Sequence, residues 1–94
     1  MKTVLITGAG IGIGRSAALA FSKKGYRVIV TDILEEEGSA VVSEITKQGG
    51  VAKFYFLDVA STENSNNVVE HVVNEFGAID TIVCNAGIAH KVPL

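Results

Sequence analysis

Short unbroken apolar runs alternate along this chain with longer stretches in which apolar residues return every three or four positions. Runs of the first kind predict buried strands; stretches of the second kind predict amphipathic helices. The first strand is Thr3–Thr7, and a helix follows over residues 13–24, ended by Gly25. Arg27–Asp32, rich in Val and Ile, is the second strand. Residues 35–48 form the second helix, with Val41, Val42 and Ile45 at core spacing and Gly49-Gly50 as its stop. Residues 52–57 are the third strand. The third helix, Thr62–Phe76, is capped by Ser61 and ended by Gly77, and its inward stripe reads Val68, Val69, Val72, Val73 and Phe76. Residues 81–85 make a fourth strand, and 87–94 read as a loop.

The order is β-α-β-α-β-α-β. Such alternation implies an α/β fold: a parallel sheet with helices on its faces and right-handed crossovers. The inner strands lack polar alternation, as expected when both faces are covered. Ligands of these sheets sit beyond the carboxyl ends of the strands. The distinctive clusters of this chain fall at such ends: residues 8–14, Asp32, Asp58-Val59 and Asn85-Ala86-Gly87.

Composition narrows the class. Ninety-four residues make one domain at most, and 48% hydrophobic content with a single Pro argues for a packed chain rather than a disordered one. Net charge is −2 with no block of basic residues, which gives no support for nucleic-acid or membrane-surface partners. No apolar run approaches the ~18 residues that span a bilayer, and the N-terminal run is too short for a signal-peptide core. The lone Cys84 cannot form an internal disulfide, so a reducing, cytoplasmic setting is expected.

The string Thr7-Gly8-Ala9-Gly10-Ile11-Gly12-Ile13-Gly14 carries a strand into a helix N-terminus. Free amides and the helix dipole make such a junction an anion site, and glycines permit the tight turn and the close approach of a phosphate. A P-loop would need Lys and Ser/Thr after its second glycine, and no register supplies the Lys. The fingerprint G-x-G-x-x-G also fails: begun at Gly8 it ends on Ile13, and begun at Gly10 it ends on Arg15. The spacing that fits is T-G-x-x-x-G-x-G, over Thr7, Gly8, Gly12 and Gly14.

That spacing resembles the short-chain dehydrogenase/reductase family, and the resemblance continues through all 94 residues. Asp32 ends the second strand, Leu57-Asp58-Val59 the third, and Asn85-Ala86-Gly87 the fourth, where the family usually shows Asn-Asn-Ala-Gly. Cys84 stands where the first of those Asn residues would be, and a strand Cys reads as a small core residue. The resemblance implies a Rossmann-type doubly wound sheet of strand order 3-2-1-4 with three helices. It also implies a partial cofactor-binding domain over 1–94, truncated relative to the family. S-adenosylmethionine methyltransferases are a rival, because Gly8-Ala9-Gly10-Ile11-Gly12 matches their G-x-G-x-G. They usually place an acid near the end of the first strand, however, where this chain has Thr7, and they give no reason for Asn-Ala-Gly after the fourth.

By this resemblance Gly8, Gly10, Ile11, Gly12, Ile13 and Gly14 cradle the pyrophosphate of a nicotinamide dinucleotide. Gly10 reads either as part of that cradle or as a turn glycine, and Gly14 as needed for helix–strand packing. Asp32, about 20 residues beyond the glycines, is placed to accept hydrogen bonds from the adenosine ribose. It would repel a 2′-phosphate, and the positions where NADP-binding relatives carry a basic residue hold Ile33 and Ile11, so NAD is expected rather than NADP. A capping or loop carboxylate ahead of Glu35-Glu36-Glu37 is the local alternative for Asp32, and those three acids read as complementing the helix dipole. Arg15 is the nearest cation. Asp58 and Val59 would line the adenine pocket, and Asn85, Ala86 and Gly87 would pass the nicotinamide-side ribose. His71 should face outward on the third helix; His90 lies in the terminal loop without a metal-ligand partner, so no metal site is expected.

The family's chemistry uses an Asn, a Ser and a Tyr-x-x-x-Lys pair downstream of the fourth strand, the Tyr serving as acid or base. Tyr26 is followed four residues later by Val30, and Tyr55 by Val59, so neither fits and no catalytic residue is assigned. The chain is therefore expected to be the NAD-binding portion of an oxidoreductase that moves a hydride between NAD and an alcohol or carbonyl substrate, without turnover on its own. A non-catalytic nucleotide-binding module is the alternative. The fourth strand would form an exposed sheet edge, which invites a homo-oligomer.

Overall fold

The computed structural model describes residues 1–85. Its elements are β1 (Thr3–Thr7), α1 (Gly12–Lys23), β2 (Arg27–Asp32), α2 (Glu35–Lys47), β3 (Val51–Phe56), α3 (Thr62–Phe76) and β4 (Thr81–Val83). The strands form one parallel sheet in the order β3-β2-β1-β4, so this is a doubly wound α/β fold of the expected order.

The alternation of side chains along the central strands divides the core in two. Val4, Ile6, Val28 and Val30 point to one face, where they pack with Ala18 of α1 and with Val41 and Ile45 of α2. Leu5 and Ile29 point to the other face and meet Val68 and Val72 of α3. In register, Val4 pairs with Val28, Leu5 with Ile29 and Ile6 with Val30, so like faces coincide across the strands. Every residue of β1 is buried, which explains its unbroken apolar run.

Helix ends follow local chemistry. Gly25 and Gly49 take φ values of +90° and +88° just past α1 and α2, which ends each helix in a left-handed turn. Lys24 and Gln48 lie at the caps rather than inside the helices, one residue short of expectation. Ser61 caps α3 as expected, its hydroxyl accepting the amide of Asn64 at 3.1 Å. The third strand begins at Val51, one residue early, because its ladder pairs Arg27 with Val51 and Asp32 with Phe56.

Three expectations are corrected. In the stripe assigned to α3, only Val68 and Val72 are buried; Val69 and Val73 are exposed, and Phe76 is half-buried. Helix α3 covers its face of the sheet alone, so its apolar flank has no described neighbour. The fourth strand stops at Val83 rather than residue 85, since it pairs with β1 only through Val4, Leu5 and Ile6. Asn85 turns its amide to the Thr7 hydroxyl, at 2.9 Å, instead of continuing the ladder. Cys84 follows the strand end and is exposed, not a core residue. The loop read over 87–94, with Ala86, Gly87 and His90, lies outside the described residues.

Candidate nucleotide-binding site

The carboxyl ends of β1, β2, β3 and β4 bring together the residues singled out in the sequence. Gly8 and Gly12 have φ values of +63° and +59°, so the loop after β1 turns twice through conformations that favour glycine. Between them, Ala9 is fully buried and donates to the Thr31 carbonyl at 3.0 Å, which fastens the loop to β2. Gly10 lies in the turn after β1 but does not take a left-handed φ. A Cβ there would lie 2.9 Å from Asp32 Oδ2 and 3.2 Å from the Gly38 amide nitrogen, so glycine permits a close approach of the loop to β2 and α2. Gly14 serves packing, as read: a Cβ would run into the carbonyl oxygen of Gly8.

Helix α1 differs from the other two at its N-terminus. Its N-cap is Ile11, which provides no side-chain cap, and its first turn contains no acid. Helix α2 also lacks a side-chain cap but carries Glu35, Glu36 and Glu37 in its first turn, while α3 has both Ser61 and Glu63. The first amides of a helix have no intrahelical acceptor. Among the described residues α1 has no side-chain cap to supply one, and its first turn holds no acid to offset the positive end of the dipole. These residues fit the pyrophosphate of a dinucleotide, whose oxygens would satisfy those amides.

Asp32 is buried, and both its oxygens are in use. Oδ2 accepts the Gly10 amide at 2.9 Å and Oδ1 the Leu34 amide at 3.0 Å. The local role as a loop carboxylate, set against the ribose role in the sequence, is therefore present. It does not exclude the other, since each carboxylate oxygen retains a lone pair. Arg15, the nearest cation, is held by Glu44 of α2 at 2.6 Å. Ile11 and Ile33, at the positions that would select a 2′-phosphate, are exposed apolar residues, and so are Ile13, Leu34 and Val59. An apolar rim of this kind suits the faces of aromatic bases.

Asp58 is half-buried just after β3, with Leu57 donating to the Asp32 carbonyl at 3.2 Å. The two acids thus stand at the ends of neighbouring strands. Asp58 Oδ1 accepts the Ala60 amide at 3.0 Å, and the Asp58 amide donates to Asn64 Oδ1 at 2.6 Å. On the other side, Asn85 donates through Nδ2 to the Gly8 carbonyl at 3.2 Å, joining the end of β4 to the glycine loop. Asn64 and Glu44 escaped the sequence reading. A Ser-x-x-Asn spacing at 61–64 was the available sign of the first, whereas no local pattern announces a partner 29 residues from Arg15.

Both tyrosines are engaged elsewhere. Tyr26 precedes β2, at the opposite end of the sheet from the site, and packs edge-on against Phe21 with centroids 4.9 Å apart. Tyr55 donates to Glu75 at 2.7 Å, and Lys53 donates to the same carboxylate at 2.7 Å. These bonds, that from Lys53 foremost, hold the Glu75 carboxyl below its usual range, and the Glu75 carboxylate raises Lys53. Partial burial, then the bond to Glu75, raises Tyr55. His71 is exposed on α3 as expected.

Fold and site define a doubly wound α/β protein that gathers its glycine loop, Asp32, Asp58 and Asn85 at the carboxyl ends of the strands. Residues 2–94 match the family described as short chain dehydrogenase, and the chain belongs to that family of oxidoreductases. An uncharacterized oxidoreductase of Thermotoga maritima is 47% identical over 87 residues, covering 93% of this chain and 34% of that protein. The cyclohexanol dehydrogenase of an Acinetobacter strain is 43% identical over 91 residues, covering 97% of this chain and 36% of that one. The crystal structure of a hydroxysteroid dehydrogenase from Escherichia coli superposes with a TM-score of 0.88 at 36% identity, covering 92% of this chain and 37% of the other. The chain spans about a third of the length of these relatives and matches a family that binds a nicotinamide cofactor. No helix among the described residues is long and apolar enough to cross a membrane.

Proposed function

We propose that this chain is the NAD-binding portion of a short-chain dehydrogenase that exchanges a hydride between NAD and an alcohol or carbonyl substrate. The pyrophosphate would lie along the loop of Gly8, Gly10, Ile11, Gly12, Ile13 and Gly14, on the amides of the helix start rather than that of Gly10, which Asp32 already accepts. Asp32 and Ile33 would face the adenosine ribose, Asp58 and Val59 the adenine. Asn85, Ala86 and Gly87 would pass beside the nicotinamide ribose. NAD supplies the hydride acceptor; these residues bind and orient it.

The observation that carries the choice of NAD is the fixed carboxylate of Asp32. Two amides hold it at the end of β2, where its remaining lone pairs can accept ribose hydroxyls. A 2′-phosphate brought there would meet a buried negative charge. The cation beside the loop among the described residues, Arg15, is engaged by Glu44. A charged acceptor contributes about 1.5–3 kcal/mol per hydrogen bond, so the preference for NAD over NADP should be at least about tenfold.

Turnover is a separate matter. The 94 residues contain no Tyr-x-x-x-Lys pair, and Tyr26 and Tyr55 serve packing and an ion-pair cluster. The polypeptide by itself is therefore read as a binding unit, acting in the cytoplasm and associating with further copies through the β4 edge. Calorimetric titration with NAD, NADP and S-adenosylmethionine tests the binding. The expected order is NAD tightest, NADP weaker and S-adenosylmethionine without binding. Equal or tighter binding of NADP would overturn the choice of cofactor, and selective binding of S-adenosylmethionine would overturn the function. Incubation with NAD and secondary alcohols should give no sustained rise in NADH absorbance.

A further inference from the structure

We infer that Asn64 is a positioning residue for adenine recognition, holding Asp58 so that its carboxylate can accept the 6-amino group of the base. This rests on the reading that Asp58 faces adenine.

The inference grows from an unusual helix cap. In an ordinary capping box the third residue of the helix reaches back to the amide of the N-cap residue itself. Here the Ser61 amide is already taken, donating to the Asp58 carbonyl at 2.9 Å. Asn64, whose own amide is accepted by the Ser61 hydroxyl at 3.1 Å, reaches three residues further and accepts the Asp58 amide at 2.6 Å. Asp58 is thereby held at three atoms. Asn64 fixes its N–H, Ser61 its carbonyl, and the Ala60 amide its Oδ1 at 3.0 Å. Among the described residues nothing donates to Oδ2, so one oxygen is spent on orientation and the other is left to a ligand.

The backbone bond matters because it sets the direction of the Asp58 side chain at the end of β3. Without it Asp58 keeps only the bonds at its carbonyl and Oδ1, the peptide that follows the last ladder bond, from Leu57 to Asp32, loses its anchor, and the aim of the carboxylate loosens. Only an acceptor is required at position 64, since the Asn64 side-chain NH2 makes no bond to Asp58. Asn64→Asp should therefore preserve the arrangement, whereas Asn64→Ala should abolish it.

The test compares NAD with nicotinamide hypoxanthine dinucleotide, in which the 6-amino donor is replaced by a carbonyl oxygen. The wild-type chain should bind NAD about tenfold more tightly, the size expected for one hydrogen bond to a charged acceptor. In Asn64→Ala the ratio should fall to about two or less, and in Asn64→Asp it should stay within about twofold of wild type. Partial unfolding weakens both ligands by the same factor and cancels in the ratio, so a merely structural cap would leave it unchanged. Should Asn64→Ala fail to fold, Asn64→Gln, which keeps the amide but moves the acceptor by one methylene, should lower the ratio at least about threefold. A wild-type ratio retained in the variants lacking a placed acceptor would overturn the role of Asn64 alone. A wild-type chain that binds NAD without discriminating would overturn the adenine reading of Asp58, and the inference with it.

Discussion

The Asp32 carboxylate accepts the amide proton of Gly10 at 2.9 Å, a bond between residues 22 apart in sequence. With the second bond, from Leu34, it makes the glycine loop, the end of β2 and the start of α2 one rigid unit. The loop is thus shaped before any ligand arrives, which lowers the ordering cost of binding.

Replacing Asp32 tests that link. Asp32→Ala leaves the buried Gly10 amide without its acceptor, and an unsatisfied buried donor costs about 1–3 kcal/mol. Asp32→Asn retains one acceptor oxygen and should lose less. Urea denaturation should show this order, and a variant Asp32→Ala as stable as wild type would mean that the loop is held by other contacts.

The glycines of the loop should respond unequally. An alanine at Gly12 meets no atom within 4 Å but must adopt φ +59°, a strain of about 1–2 kcal/mol. An alanine at Gly14 drives a Cβ into the Gly8 carbonyl, with the Asn85 side chain at 2.8 Å, so backbone must move. Overpacking of that kind costs about 1–3 kcal/mol or more. It also displaces the loop, so Gly14→Ala should weaken nucleotide binding more than Gly12→Ala for the same loss of stability. Parallel thermal melts and titrations would reveal the difference.

How much of this was legible in the sequence depended on whether the controlling contact was local. The strands β1 and β2 were readable to the residue because both their faces are covered, which leaves Val4, Leu5 and Ile6 in one run. The cap at Ser61 was readable because its acceptor and donor lie three residues apart. Val69 and Val73 were misplaced because periodicity locates a helix face, not what covers it. The end of β4 was misplaced because the side chain of Thr7, 78 residues earlier, claims the Asn85 amide. The bond from Gly10 to Asp32 was hidden for the same reason: that amide, 22 residues earlier, is brought to the carboxylate by the turn through Gly8.

Away from the site, Lys53, Tyr55 and Glu75 form an exposed cluster with a pH signature. The Glu75 carboxyl is lowered from its usual 4.5, so its contribution is present at neutral pH and is lost as pH falls below that value and through the lowered one. Lys53 and Tyr55 are raised from 10.5 and 10.0, so their contributions are complete below those values and disappear as pH rises through the raised ones. The difference in Tm between wild type and Glu75→Gln should be level across neutral pH and shrink at both extremes. It should be small, because all three partners are solvent-screened. A difference that persists undiminished at pH about 3 would show that the variant acts through something other than this cluster.

The β4 edge supplies the last prediction. Among the described residues β4 pairs with β1 alone, and its outer edge presents unpaired backbone groups. Ile82, in register with Leu5 on the α3 face, remains 53% exposed, and α3 adds Val69 and Val73 to the apolar surface of that face. Unguarded apolar edges of this kind pair with other chains, and a lysine is a common natural guard against such pairing. The opposite edge strand, β3, carries Lys53; β4 has no charged residue among Thr81, Ile82 and Val83. Light scattering should therefore show concentration-dependent association of the wild-type chain, weakened at least about tenfold by Ile82→Lys. The substituted side chain is already half in solvent, so melting should change little. A wild-type chain that stays monomeric across the concentration series would exclude this edge as an assembly surface, as would an Ile82→Lys variant that associates as well as wild type.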